Sequence, residues 1–413
     1  MSGTASVEVS AVVGSVGSFG VSVAAGSVAS LELGEFMFPE PVAVLLGADL
    51  STDPPAEGVR IKWRGAVVGP DGIIYGIPYE ADEILEIDPA TDVVTRTAST
   101  LGLEAVGVNS KWVDGALGSD GRIFGNPHGA RNYLILDTTT DPITVSGSTP
   151  TPGAGQQLRG GDLANDGKIY SSMFTPSSVF KSLVCSTGVQ GANVAFVRDR
   201  TGPIYTARPN WEAENSSSSG AYDRYWGATA NADGSKIYGT PWGADRISIL
   251  DVGAGTASQG SDSLTGGHEI PTGVFNGSDR IFEKWSGGAL SSLTGDIYCF
   301  PRHAQTILKI NTADDSATEI EIPAILKSLP INYAKSFSNV EGADGRIYSV
   351  PWNGPYFFWI DPRDDSVGWM DLTDVLAGSG IPGNYFTYGA SVGNDIYFIP
   401  GSATKILKVT VTP

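Results

Sequence analysis

The sequence predicts an all-β fold of seven four-stranded antiparallel units closed into a ring and preceded by a β arm, and three observations predict it. One short motif recurs seven times: "GPDGIIYGIP", "GSDGRIFGNP", "ANDGKIYSSM", "DGSKIYGTP", "LTGDIYCFP", "GADGRIYSVP" and "VGNDIYFIP". Its aromatic anchors, Tyr75, Phe124, Tyr170, Tyr238, Tyr298, Tyr348 and Tyr397, are spaced 49, 46, 68, 60, 50 and 49 residues apart, a period that marks a repeat architecture. Composition agrees: 53 Gly and 25 Pro punctuate short runs of β-branched and aromatic residues, and no long helical periodicity occurs.

Each unit carries the same internal grammar. After a first strand, an Asp-Gly or Gly-Asp pair supplies the positive φ of a tight hairpin, and a second strand carries the anchor. In six units a proline stands three residues beyond the anchor (Pro78, Pro127, Pro241, Pro301, Pro351, Pro400), where its missing N–H ends the ladder. A third strand ends in Asp or Asn at Asp88, Asp137, Asn311, Asp251 and Asp361. Turns such as "DPATD" and "DTTTD" follow, and "VVTRT" or "ITVSG" reads as a fourth strand. Seven such units predict a seven-bladed β-propeller over residues 36–413. The last unit stops after its third strand at "ILKVTVTP", so a strand from about 41–47, "PVAVLLG", is expected to close the ring and cover the open edge. Two stretches of extra length, 200–222 and 252–278, read as surface loops.

The wording of these repeats resembles the YVTN and virginiamycin-lyase-like class of propellers, which share a rhythm close to D-G-x-[IL]-[WY], a gap, then I-x-x-I-D-P-x-T-x-x-V. The resemblance spans roughly residues 60–413 and implies the fold; it says little of function, since such repeats serve enzymes, binding proteins and scaffolds. Lyases of that class use histidine and acidic residues with a metal on one face, and no residue-by-residue match to such a site can be drawn.

Residues 1–35 are different. Apolar residues favour odd positions there, from Val7, Val9, Ala11 and Val13 to Leu31 and Leu33, which is the period of a strand. Rich in Val, Ser, Ala and Gly, the arm has little bulk for a core of its own and is expected to add strands to a partner or to copies of itself, the alternative being a flexible leader or a strand hairpin lying on the propeller.

Charge and motifs exclude several classes. A net charge of -19 repels phosphate backbones, which argues against nucleic acid as partner. No Lys or Arg precedes Arg60, so the charged start of a secretory signal is missing; synthesis in the cytoplasm is expected, and no membrane insertion. Cys185 and Cys299 form no disulfide framework. The three histidines, His128, His268 and His303, show no metal-ligand spacing, so neither metal nor cofactor is expected and no catalytic residue is assigned. "SVFK" and "SATK" match S-x-x-K by chance in a Ser-rich chain.

Two sets of residues are candidates for a ligand site on one face. Thirteen or fourteen residues before the anchors stand Lys62, Lys111, Gln157, Arg224, Lys284, Lys335 and Asn384, five of seven cationic in a chain with only 26 Lys and Arg. They are expected to ring the mouth of the central channel, either as an anion site or as ion pairs between blades. The aromatic residues that follow, Trp63, Trp112, Tyr225 and Trp285, are expected to pack between blades. After the turn prolines come Tyr79, His128, Trp242, Arg302 and Trp352, a mixture of rings and cations suited either to acidic sugars or to packing at the blade rim. The function expected is a non-enzymatic propeller that binds a receptor or anionic glycan and is attached by its arm to a larger assembly such as a phage or virus-like particle, as a tail-associated or capsid-decorating protein and with homo-oligomers open to it. The alternatives are a lyase or hydrolase acting on a glycan or cyclic ester, with His128 and His303 in its site, and a cellular interaction scaffold.

Overall fold

Seven four-stranded antiparallel sheets surround one axis in a computed structural model that describes residues 40–47, 49–50, 61–100, 103, 110–140, 142–148, 158–173, 180–194, 225–244, 246–262, 264–265, 283–329, 333–377 and 386–412. The arm, Gln157, Arg224, Asn384 and the stretch 200–222 lie outside those residues. Blade 1 comprises Trp63–Val68, Ile74–Pro78, Glu83–Asp88 and Val93–Ser99, from axis to rim, and blades 2 to 6 repeat that order. The first strand of each blade packs against the next, and Phe386–Val392 of blade 7 packs against Trp63–Val68, which closes the ring. Blade 7 takes its outer strand from the other end of the sequence: Val42–Leu46 pairs antiparallel with Ile406–Thr410, Val42 opposite Thr410 and Leu46 opposite Ile406. Two single-turn helices, Ala324–Lys327 and Thr373–Leu376, lie between blades 5 and 6 and blades 6 and 7. No helix among the described residues is long and apolar enough to cross a membrane.

Local chemistry explains the hairpins. The Asp of each D-G pair accepts the N–H two residues on, as Asp71 does from Ile73 (3.1 Å) and Asp120 from Arg122 (3.1 Å), while the glycine takes a positive φ, +82° at both Gly72 and Gly121. Asp88 caps the following turn through the Ala90 N–H at 2.9 Å. Part of the Gly/Ser-rich stretch expected as a loop is a strand: Thr256–Gln259 is the outer strand of blade 4, its residues alternating exposed and half-buried at the rim. Composition hid it, because a rim strand needs only one half-apolar face.

The core is divided among the gaps between blades. Trp63, with Tyr397, Ile399 and Ile406 of blade 7, fills one gap; Trp112 with Tyr75, Ile77 and Ile84 of blade 1 fills the next. Trp63, Trp112 and Trp285 are fully buried, and each indole N–H donates to a carbonyl at the start of its own third strand or the turn before it: Glu83 (2.8 Å), Asn132 (2.9 Å) and Thr306 (2.7 Å). A tryptophan can be buried in this way because its one polar atom is satisfied.

On the side of the D-G turns, here the lower side, three of the anchor tyrosines tie one blade to the next. Asp92, Asp315 and Asp365 end the third turns of blades 1, 5 and 6 with φ of 56°, 64° and 59°. Each accepts the hydroxyl of the preceding blade's anchor, Tyr397 (2.7 Å), Tyr238 (2.6 Å) and Tyr298 (3.0 Å), together with a lysine, Lys408, Lys236 or Lys309. Blades 3 and 4 carry Gly188 and Gly255 at that place, with φ of 66° and 65°, and no carboxylate is offered. The anchors that face them differ accordingly: Phe124 has no hydroxyl, and Tyr170 turns back to Asp166 of its own hairpin at 3.0 Å. Tyr75 and Tyr348 do the same with Asp71 (2.7 Å) and Asp344 (2.6 Å).

Candidate functional site

The opposite, upper side carries the turns after the prolines and the starts of the first strands. There the lysines stand at the joints between blades. Lys62 Nζ donates to the Ala403 carbonyl of blade 7 at 2.7 Å, Lys111 to Asp82 of blade 1 at 2.8 Å, Lys284 to the Ala244 carbonyl of blade 4, and Lys335 to the Ala304 carbonyl of blade 5 at 3.1 Å. All four are buried. Burial pushes the Lys335 ammonium down to about 8. Each of these four lysines thus contacts a turn of the neighbouring blade, a carbonyl for Lys62, Lys284 and Lys335 and the Asp82 carboxylate for Lys111, the pairing between blades that was one of the two arrangements expected.

The same lysines position the other candidates. The Lys111, Lys284 and Lys335 N–H groups donate to the carbonyls of Tyr79 (2.7 Å), Trp242 (2.9 Å) and Arg302 (2.8 Å) in the preceding blade. Within one blade, the N–H groups of Tyr79, His128 and Arg302 donate to the carbonyls of Lys62, Lys111 and Lys284, each at 2.9 Å. Tyr79, His128, Trp242 and Arg302 are thus each held by a backbone hydrogen bond to a lysine of an inner strand.

What reaches the axis is a residue that sequence reasoning passed over. All seven first strands have a register shift near their start, for example between Trp63 and Ala66, Tyr225 and Ala228, and Ser336 and Asn339. A bulge re-aims the side chain it contains. It does so here for Arg64, Asp114, Arg159, Trp226 and Phe337. Glycine makes the bulge possible: Gly227 has φ +111°, and a Cβ on it would lie 2.9 Å from Gly287 Cα of the next blade. The recurring small residue inside an inner strand, in "WRG", "LRGG", "YWG" and "WSGG", was the available signal.

These residues and the turn residues assemble into one hub drawn from all seven blades. Arg64 Cζ stands 4.8 Å from the ring centre of Tyr79, 4.9 Å from Trp226 and 4.5 Å from Phe337. Trp226 stacks on Trp242 at 4.5 Å, and Phe337 on Trp352 at 4.4 Å, with Tyr388 edge-on to Phe337 at 5.8 Å. Arg159 Cζ lies 4.3 Å from the Trp226 ring, and its guanidinium meets the His128 ring nitrogens at 2.9 and 3.0 Å. His128 in turn stacks on Tyr79 at 5.8 Å. Arg302 lies 4.9 Å from Trp242 and 5.4 Å from Trp352, and its Nε donates to Glu283 at 2.9 Å. His303 Nε2 meets the same carboxylate at 3.0 Å.

Electrostatics separate these groups. Burial, then the charges of Arg159 and Arg64, push the His128 imidazole down to about 2, so it is neutral at ordinary pH. Burial raises the Glu283 carboxyl, but the His303 hydrogen bond and Arg302 outweigh it and bring it to about 2. Asp114, below the hub in the left-handed region (φ 59°), is driven up to about 7 by burial, then by Asp162, against hydrogen bonds from Gly115 and Gly161. No group of three or more His, Cys, Asp or Glu among the described residues could hold a metal ion. Of the sequence candidates, Tyr79, His128, Trp242, Arg302 and Trp352 share the hub; Lys62, Lys111, Lys284 and Lys335 stand in the joints around it.

No family model matches the chain, and no curated protein matches it. Solved structures do. Selenomethionine-substituted virginiamycin B lyase from Staphylococcus aureus superposes with a TM-score of 0.60 at 13% identity, over 90% of this chain and 100% of that one. A catalytically inactive histidine-to-alanine variant of the same lyase with quinupristin gives 0.59 at 14%, over 90% and 100%. The Cps50 (Swd1) β-propeller domain of Myceliophteria thermophila gives 0.53 at 9%, again over 90% and 100%. At such identities the likeness establishes the fold alone: this chain is similar in architecture to the propeller of virginiamycin B lyase, and to the Cps50 (Swd1) β-propeller domain almost as much.

Proposed function

We propose that the protein is a non-enzymatic binding propeller that takes a ligand on its upper hub and is attached through residues 1–35 to a larger assembly, a phage or virus-like particle surface, where it contacts a receptor or glycan as a tail-associated or capsid-decorating protein. The observation that supports the binding role is the hub itself. Five aromatic residues, Trp226, Trp242, Phe337, Trp352 and Tyr388, pack together with Arg64 and Arg159 against the Trp226 ring, side chains of five blades meeting in one cluster. Rings beside cations suit a ligand with apolar faces and negative charge. The period-two arm supports the attachment, as strand addition is the economical use of a sequence with little bulk. Solution mass measurement and negative-stain imaging of the full chain beside residues 36–413 test it. The full chain is expected to form oligomers or join a particle while the shorter chain stays monomeric; identical masses with no particle association contradict the attachment.

A lyase is the second reading, favoured by the structural likeness to virginiamycin B lyase and by two histidines on the upper turns. The neutral, arginine-clamped His128 and the buried His303 argue against proton transfer at either ring. Under that reading His128→Ala and His303→Ala abolish turnover of a glycan or cyclic ester; full activity in both variants removes those residues from any catalytic role.

A further inference from the structure

Six of the seven outer strands carry a feature that discourages a further strand from pairing with them. Val93–Ser99 has Arg96 at its middle and a register shift against its neighbour, and Val189–Val194 has Gly191 and another such shift. Thr144–Gly147 and Thr256–Gln259 are only four residues long. Ser316–Glu321 holds Glu319 and Glu321, and Ser366–Asp371 holds Gly368 and Asp371. Val42–Leu46, the outer strand of blade 7, has none of these. It reads VAVLL, its five pairs with Ile406–Thr410 run without a shift, and no strand among the described residues pairs with its other edge. Ala43 and Leu45 pack against the core cluster that holds Leu376, whereas Val42 and Val44 are 62% and 43% exposed. An apolar, regular and uncharged edge is a template for strand addition.

We propose that the free edge of Val42–Leu46 receives the arm of a second copy of this chain, a strand from residues 1–35 adding to blade 7 as its fifth; this rests on the reading of the arm as an attaching strand. Position, pattern and charge point to that occupant. The arm runs directly into Val42–Leu46, so every copy carries arm and edge at the same rim, and the residues before Glu40 reach up to ~130 Å when extended. Its alternation of Val7, Val9, Ala11 and Val13, and of Val21, Val23 and Ala25, matches the alternation of Val42 and Val44 on the edge. Glu8, Glu32 and Glu35 are its only charged side chains and the edge has none, so two copies of a chain with net charge -19 meet there with little repulsion. Pairing of an arm with its own edge is disfavoured, because Pro39 and Pro41 bias Phe38 and Glu40 to extended backbone where the chain would have to reverse.

Sedimentation of the full chain and of two full-length variants over a range of concentrations tests it. Wild type is expected to form dimers or longer assemblies. Val44→Lys, which places on this edge the charge that other edges carry, is expected to weaken self-association at least about tenfold, with the melting temperature unchanged because the side chain faces solvent. Val9→Pro combined with Val23→Pro removes a backbone donor from each alternating run of the arm and is expected to weaken self-association to the same degree. Mixing the two variants is expected to restore a complex with one copy of each, since one brings an intact arm and the other an open edge. Val44→Lys that associates as wild type does, a mixture that stays monomeric, or a monomeric wild type each overturns the inference. Attachment of the arm at another place gives a different pattern: particle association lost in the proline variant and kept in Val44→Lys refutes this receiving edge and leaves the attachment itself standing.

Discussion

The lower rim and the upper hub use the same residue types to opposite ends. On the lower rim, tyrosines, lysines and aspartates occur at repeated positions and satisfy one another: at Asp92, Asp315 and Asp365 the neighbouring tyrosine and lysine reach the turn, and opposite Gly188 and Gly255 stand Phe124 and a Tyr170 that folds back. In the hub, the bulge positions are Arg64, Asp114, Arg159, Trp226 and Phe337, which vary from blade to blade, and the buried Nε atoms of Arg64 and Arg159 have no hydrogen-bond partner among the described residues. Positions that repeat build the ring, and positions that vary from blade to blade carry what the ring presents.

Removal of the closing strand should break the rim most. Deleting residues 1–47 leaves blade 7 with three strands and the apolar Leu407 and Val409 beside an open edge. Loss of the cooperative transition, or a fall in melting temperature of roughly 10 °C, is expected by circular dichroism, with aggregation on sizing. Next, Trp285→Ala should cost about 3–5 kcal/mol in urea unfolding, because a fully buried ring and its hydrogen bond to Thr306 are lost together.

Lys284 and Lys111 sharpen the comparison between joints. Lys284→Ala strips two buried carbonyls, Ala244 and Leu264, of their donor and should cost about 2–3 kcal/mol; Lys111→Ala, whose partner Asp82 is 39% exposed, should cost less than about 1 kcal/mol. The smallest effect belongs to Asp92→Gly, which copies the turns of blades 3 and 4 and should cost at most about 1 kcal/mol. The Lys408 and Tyr397 contacts hold the Asp92 carboxyl below its ordinary value, so its contribution is present above the unfolded pKa and disappears as pH falls through the folded one. Wild type and Asp92→Gly should therefore differ at neutral pH and converge in acid.

The hub has its own pH signature, of opposite sign. Asp114, raised from 3.8 to about 7, binds a proton in the folded chain that the unfolded chain has released, so its burden on stability grows as pH rises between those values. Asp114→Asn should raise the melting temperature at pH 8 and leave it nearly unchanged at pH 3; an equal shift at both would show that the carboxylate's charge carries no penalty there.

The sequence displayed the fold plainly because hairpin chemistry is local. A D-G pair, an anchor and a proline three residues on state a blade without reference to any other part of the chain. The candidate site was legible only in part. Tyr79, His128, Trp242, Arg302 and Trp352 could be placed on one side, since strand direction fixes which turns share it. The lysines drew attention because they recur, yet recurrence reflects a joint made at each gap between blades. Arg64, Arg159, Trp226 and Phe337 escaped because a β-bulge changes where a side chain points, and the period of two that predicts facing fails at a bulge.

Titration of wild type, Arg64→Met and Lys111→Ala side by side with digalacturonic acid tests most directly whether varied positions bind and repeated ones build. Lys111→Ala is expected to bind as wild type does, and Arg64→Met not to bind. Binding lost in Lys111→Ala and kept in Arg64→Met would contradict it.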